Sequence, residues 1–291
     1  EAGVAKLTPD GRSPQQQLDE LEQRLRPMVA KQYQNFELQL RPQLEKLGVK
    51  LVNYTDLDRE QILYCPSSFK KQIFPILTPL GVDPGHPFPR ISNLSFNVAV
   101  VVKNPKTESE HFARIKVPDI LPRFIKFPPA LQSASEDEGL IWNGVPLEQV
   151  IAHNLSSLFP GLEIAEYSFF RLTRDADFPF QEDEADDLLL AIQQEIGKRY
   201  FKGSVVRLEL QASASEFVRE TLMAGLDIAA RDVYEVDGLM HLGDLMSFMA
   251  LPLPEYKDAP WQPVVPPRLK AIAKLAREEN LQELNESDDL L

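Results

Sequence analysis

FPILTPLGVDPGHPFPRISNLSFN, residues Phe74–Asn97, packs five prolines and two glycines around one histidine and then runs straight into an alternating apolar pattern. Proline fixes φ and removes a backbone donor, so this stretch cannot be a regular helix or a central strand. It reads as an ordered, mostly extended connection whose shape is set locally. The same grammar recurs at Pro118–Pro129 and Leu251–Pro267, and the whole chain holds 24 prolines in 291 residues. That exceeds the roughly 5% usual in globular proteins, so many joints are stiff.

Working outward, the chain before this segment is helical. Ser13, Pro14 and Gln16 read as N-cap, N1 and N3 of a capping box. Leu18, Leu21, Leu25, Met28 and Phe36–Leu40 follow at helical spacing, Pro27 and Pro42 are expected to kink or break the pattern, and Gly48 suits a C-terminal cap. A second helical stretch starts near Asp56 and runs toward Gln72, with an interruption expected at Pro66. The plainer reading is a helical hairpin packed on something larger; the region is read as a small helical domain, or the remnant of one.

After it the period changes to two. Phe96, Val98, Val100 and Val102 alternate with Asn97, Ala99 and Val101, and the polar loop Asn104–Glu110 leads to a second alternating run through Val117, which together predict a hairpin. Pro146 opens a helix closed by Pro160-Gly161, and a strand is predicted over Leu162–Thr173. Acidic residues from Glu182 to Asp187 and the closing Lys198 and Arg199 complement a helix dipole. Val206, Leu208 and Leu210 predict a strand, Phe217–Leu226 a helix, Val233–Val236 a strand and Gly243–Met249 a short helix. Strands and helices mix without a βαβ rhythm, so the expected class is α+β: a helical N-terminal region followed by an α+β head domain with a mainly antiparallel sheet. The expected domains are 1–72, helical; 73–255, the head; and 256–291, a linker with a last helical piece at Arg268–Leu281.

The formal net charge of −13 argues against a nucleic-acid binder, because such a surface repels phosphate backbones. Any phosphate-rich ligand would need a local basic patch. Arg114, Lys116, Arg123 and Lys126, opposed only by Asp119, form the best local run for a polyanion. Within Asp83–Arg90, His86 and Arg90 admit two readings: contact with phosphate, or the plainer one of a rigid corner with His86 hydrogen-bonded locally. Phe170–Asp177 holds two arginines beside carboxylates, which form ion pairs and caps more often than a phosphate site. The single cysteine, Cys65, precludes an internal disulfide and fits a reducing cytoplasm, and its apolar neighbours suggest an inert buried thiol. The four histidines, His86, His111, His153 and His241, lack metal-ligand spacing, and no Walker A or G-x-S-x-G pattern occurs. No apolar run nears the roughly 20 residues of a transmembrane helix. The start at Glu1, without a signal-peptide pattern, reads as a trimmed end.

Taken in series, FPILTPLGVDPGHPFPRISNLSF at Phe74–Phe96, FARIKVPDILPRFIKFP at Phe112–Pro128, LEQVIAHNLSSLFPG at Leu147–Gly161, FFRLTRDADF at Phe169–Phe178 and VVRLEL at Val205–Leu210 resemble the long-type polyphosphate kinases. The resemblance implies the later part of that family's helical N-terminal domain and its head domain, with the phospholipase-D-like catalytic domains beyond Leu291. It implies an enzyme that moves the terminal phosphate between ATP and polyphosphate through a phosphohistidine, with ADP as the other nucleotide and with magnesium, as a cytoplasmic homodimer at most peripheral to a membrane. No catalytic, cofactor or metal residue carries over onto this chain, which is expected to bind neither ATP nor magnesium alone. Its implied role is to support the dimer and shape the polyphosphate path, with Arg114, Lys116, Arg123, Lys126, His86 and Arg90 as the candidates to face the polymer. The alternative is a stand-alone module that binds polyphosphate or a protein without catalysis.

Overall fold

A computed structural model describes residues 7–82, 88–132, 139–175, 204–261, 264 and 266–269. The chain divides into two compact units, 1–248 and 249–291. The acidic helix expected from Glu182 and the helical piece expected at Arg268–Leu281 fall outside the described residues or almost wholly so.

In the first unit α1 (Pro14–Asn35) begins with the expected capping box, Ser13 and Gln16 exchanging side-chain and backbone hydrogen bonds. The helix runs through Pro27 instead of breaking there, and continues through a π-helical turn at Phe36–Leu40 into α2 (Arg41–Lys46), where Pro42 sits in the first turn. At that position the missing N–H is one the helix does not use. Gly48 ends the run with φ +77°, and a Cβ there would lie 2.1 Å from the Gly139 carbonyl oxygen, so only glycine fits. β1 (Val49–Leu51) follows, then α3 (Arg59–Ser68), which is capped by Asp58 and passes through Pro66 into a second π-helical turn, Phe69–Ile73. Leu18, Leu21, Leu25 and Met28, which recur at helical spacing, are exposed. Helical spacing establishes the helix there without naming a cover for its apolar face. α1 is instead tied down by Arg26, which donates to the carbonyls of Val233 (3.0 Å) and Arg231 (2.7 Å) with its guanidinium over the Tyr234 ring.

The centre is a six-stranded sheet in the order β2 (Pro79–Val82), β4 (Glu110–Lys116), β3 (Phe96–Lys103), β7 (Glu163–Arg174), β8 (Val205–Gln211), β9 (Val233–Val236). The pairings are antiparallel except for β8 with β9, so the sheet is mixed although mainly antiparallel. The proline-rich segment thus supplies a strand after all, but an edge strand that starts at its proline, the position where a missing ladder donor is tolerated. A smaller sheet, β1–β6–β5, joins β6 (Trp142–Pro146) in parallel to β1 and antiparallel to β5 (Phe124–Lys126), which a single helical turn, α4 (Pro129–Gln132), follows in the chain.

Both faces of β3 are buried, because the large sheet is covered on two sides. On the first face Val98, Val100, Val102, Ala113 and Ile115 pack with Cys65 of α3, Phe69 and Ile73 of the π turn, Val145 of the small sheet, and Val150 and Ile151 of α5 (Leu147–Ala152). On the second, Ala99, Val101, Phe112, Phe170, Leu172, Leu208 and Leu210 pack beneath Ile91 and beneath Val218 and Leu222 of α6 (Glu216–Leu226). In β8 the buried residue is Val205 while Val206 is half exposed, because the ladder slips between Thr173 and Arg174. The result is three layers around a central sheet, with the segment after Pro87 forming part of the outer layer on the second face.

Candidate functional site

Of the six residues singled out for a polyanion, His86 lies outside the described residues. The other five do not converge. Phe96 and Asn97 are successive in β3 and therefore point to opposite faces, and they carry the two arginines apart: the Arg123 guanidinium lies 4.8 Å from the Phe96 ring centre, whereas Arg114 Nε donates to Asn97 Oδ1 at 2.8 Å. Arg123 is committed to structure. It grips both oxygens of Glu148, donates from Nε to Asp244 Oδ2 at 2.7 Å, and reaches the Met240 carbonyl. Asp244 in turn accepts from His241 Nδ1 at 2.9 Å. Burial would raise the Asp244 carboxyl, but the His241 and Arg123 bonds outweigh it and hold the group below its ordinary value. Burial lifts Glu148 above its ordinary value, with Arg123 opposing the shift. These carboxylates lie 25 and 121 residues from Arg123, a partnership that sequence reading missed. Lys126 is exposed on the edge strand β5 of the small sheet.

The second face holds the other cations. Arg114 on β4 is 6% exposed and Asn97 fully buried; Asn97 Nδ2 donates to the Ser95 carbonyl (2.9 Å) and hydroxyl (3.2 Å), and the Ser95 hydroxyl donates to the Ser92 carbonyl at 2.7 Å. Burial pulls Arg114 down to about 10. Lys116, next on the same face, pairs with exposed Asp119 at 2.8 Å. Arg90 is exposed; burial and then the Arg90 charge lower Arg174, whose Nε donates to the Ile91 carbonyl at 2.9 Å while its backbone N–H donates to Asn93 Oδ1 at 2.7 Å. The second half of the opening motif, Arg90–Asn97, is therefore pinned between the ends of β4 and β7 with basic side chains around it. Arg171, expected to pair locally, reaches across to Glu209 on β8 (3.0 Å), which Arg207 shares at 2.7 Å.

Elsewhere a cavity of about 390 Å³ is lined by His153, Ser156, Glu166 and Tyr167, with His153 stacked on Tyr54 at 3.9 Å, and another of about 360 Å³ by Phe69, Lys70, Phe74, Asn154 and Ser157. Glu166 is already bonded to the Ser215 N–H, and Asn154 and Ser157 to nearby carbonyls. Among the described residues no three His, Cys, Asp or Glu side chains gather as a metal site. Burial pushes the Cys65 thiol up to about 11, out of the reactive range. Among the described residues no helix is long and apolar enough to cross a membrane.

The described residues of the first unit thus form a layered α+β domain with a capped helix at its start and a buried ion-paired joint. Its kin are specific. Residues 60–248 match the polyphosphate kinase middle domain and residues 1–52 the polyphosphate kinase N-terminal domain, and the chain belongs to the polyphosphate kinase family. A polyphosphate kinase of Aphanizomenon baltica is 53% identical over 94% of this chain and 70% of its own length; that of Synechocystis sp. is 52% identical over 94% of this chain but 37% of its own. The crystal structure of polyphosphate kinase from Porphyromonas gingivalis shares the fold, with a TM-score of 0.64 at 23% identity over 88% of this chain and 36% of that one. The chain thus spans little more than a third of the Synechocystis relative and of the solved structure.

Proposed function

We propose that this chain is the N-terminal and head portion of an enzyme that reversibly transfers the terminal phosphate of ATP to polyphosphate through a phosphohistidine. In this reading 1–72 completes the helical domain, 73–255 is the head, and 256–291 leads toward catalytic domains. The ordered match to the family's N-terminal and middle domains, in a relative of which the chain covers 37%, carries the proposal. Phosphoryl transfer asks little bond-making of a protein beyond the nucleophile; positioning and charge stabilisation supply most of the rate. The head serves the first of these, by supporting the dimer and shaping the path of the polymer. With Arg123 engaged by two carboxylates, the polymer-facing role falls to Arg114 and Lys116, neighbours on one face of β4, and separately to exposed Arg90. ATP and magnesium belong to the whole enzyme.

The test is to incubate this chain, and in parallel the longer protein that contains it, with ATP, magnesium and polyphosphate. The longer protein is expected to turn over and to carry phosphohistidine, and the chain alone to do neither. Turnover by the chain, or phosphate on any of its four histidines, overturns the division of labour.

A further inference from the structure

We infer that Arg114, set between Asn97 and Lys116 on the second face of the sheet, forms an anion subsite for one phosphate unit of a linear oligophosphate. A buried guanidinium is destabilising unless a counter-charge and hydrogen bonds compensate it. Arg114 is buried, yet among the described residues its one partner is the neutral amide of Asn97 and no carboxylate faces it. Its two terminal nitrogens have no partner there, and neither is among the polar atoms sealed from water. With Nε fixed by Asn97, and Asn97 fixed in turn by Ser95, the plane of the guanidinium is set and its outer edge presents two parallel donors. That is the fork that phosphate oxygens accept bidentately. Access lies at the sheet edge, since Leu80, paired with Arg114 across from β2, is itself 38% exposed.

The ligand class follows from the neighbour. Lys116 stands two residues along the same strand face, about 7 Å away, and its present partner Asp119 is exposed. A single phosphate satisfies Arg114 alone, whereas a chain of phosphates meets both cations. The inference rests on the reading that the enzyme handles polyphosphate, and it assigns one place where the polymer is held.

The experiment is calorimetric titration of this chain at low salt with tripolyphosphate, inorganic phosphate and ATP, comparing the parent with Arg114→Gln and Asn97→Asp. The second variant is nearly isosteric and supplies the absent carboxylate from inside, so it is expected to raise the melting temperature while weakening tripolyphosphate about tenfold. Arg114→Gln is expected to lose a similar factor, and inorganic phosphate to bind more weakly than tripolyphosphate. Tripolyphosphate binding that Asn97→Asp leaves unchanged overturns the subsite, as does absence of binding by the parent or binding of ATP alone. In the longer enzyme, unchanged polyphosphate synthesis and KM in Asn97→Asp strikes the subsite only. Absence of synthesis by the parent enzyme, with tripolyphosphate binding intact, strikes the proposed function instead.

Discussion

On the first face of the central sheet Arg123 is held by Glu148 and Asp244, while on the second face Arg114 is held by an amide and by no carboxylate among the described residues. Both guanidiniums are largely withdrawn from water, and they sit against consecutive residues of β3. Around Arg123 the small sheet, α5 and the turn holding Asp244 meet, so the ion pairs act as a joint between elements distant in sequence. Around Arg114 nothing distant is joined. A charge that the fold keeps without using it as a joint is the kind of local inconsistency found at binding sites rather than in scaffolds.

Removing each arginine is the most direct way to break this contrast. Arg123→Met leaves Glu148 fully buried without its cation, and the expected loss is about 3–5 kcal/mol in urea-melt stability. Replacing both members, Arg123→Met with Glu148→Leu, is expected to recover most of that loss. Arg114→Met removes an uncompensated charge and leaves only the Asn97 oxygen unpaired, so its cost stays below about 2 kcal/mol. Equal losses for the two single variants would erase the distinction.

Acid separates the faces by a smaller amount. Asp244 is held below its ordinary value in the folded state. Its contribution is therefore fully present above the unfolded value of about 3.9 and is lost as pH falls through the lower folded value. Below about pH 4, amides of β5, β6 and α5 should lose hydrogen-exchange protection before those of α6, whose packing on the second face involves no such carboxylate. Asp244→Asn should mimic this at neutral pH, at about 1–2 kcal/mol after allowance for its partial exposure. Simultaneous loss of protection on both faces would mean that the joint is not the acid-sensitive element.

The contrast also marks how far the sequence could be read. The capping box at Ser13, the alternation of β3 and β4, and the helix after Ser215 rest on short-range rules, and all three stand in the structure. β5 and β6 escaped: Trp142–Pro146 contains Asn-Gly and ends in proline, a turn-like composition, and it becomes a strand only because β1 pairs with it some 90 residues upstream. The same limit separates the arginines. Charge and spacing grouped Arg114, Lys116, Arg123 and Lys126 as one run, but the pleat sends Phe96 and Asn97 to opposite faces. The carboxylates that engage Arg123 arrive from α5 and from beyond β9. Nor does periodicity tell which apolar stripe is covered, as the exposed leucines of α1 show.

The mildest change sharpens the second face alone. Phe88, the first described residue after the proline-glycine run, stacks on Phe112 with ring centres 5.9 Å apart and lies against Gly225 of α6, where an added Cβ would fall 2.3 Å from the ring. In an open helix Gly→Ala is stabilising by about 1 kcal/mol. Here the methyl displaces Phe88 from a packed layer, an overpacking cost of about 1–3 kcal/mol, so the net effect of Gly225→Ala is a loss of at most about 2 kcal/mol. If the ring shifts, the Arg90–Asn97 segment shifts with it, since Phe88 is its anchor on α6. Tripolyphosphate affinity should then fall although no charge has changed, while the exchange protection of the Arg123 joint stays as it was. A stabilised Gly225→Ala with full affinity would show that Phe88 yields freely and that the Arg114 guanidinium is set by Asn97 and Ser95 alone.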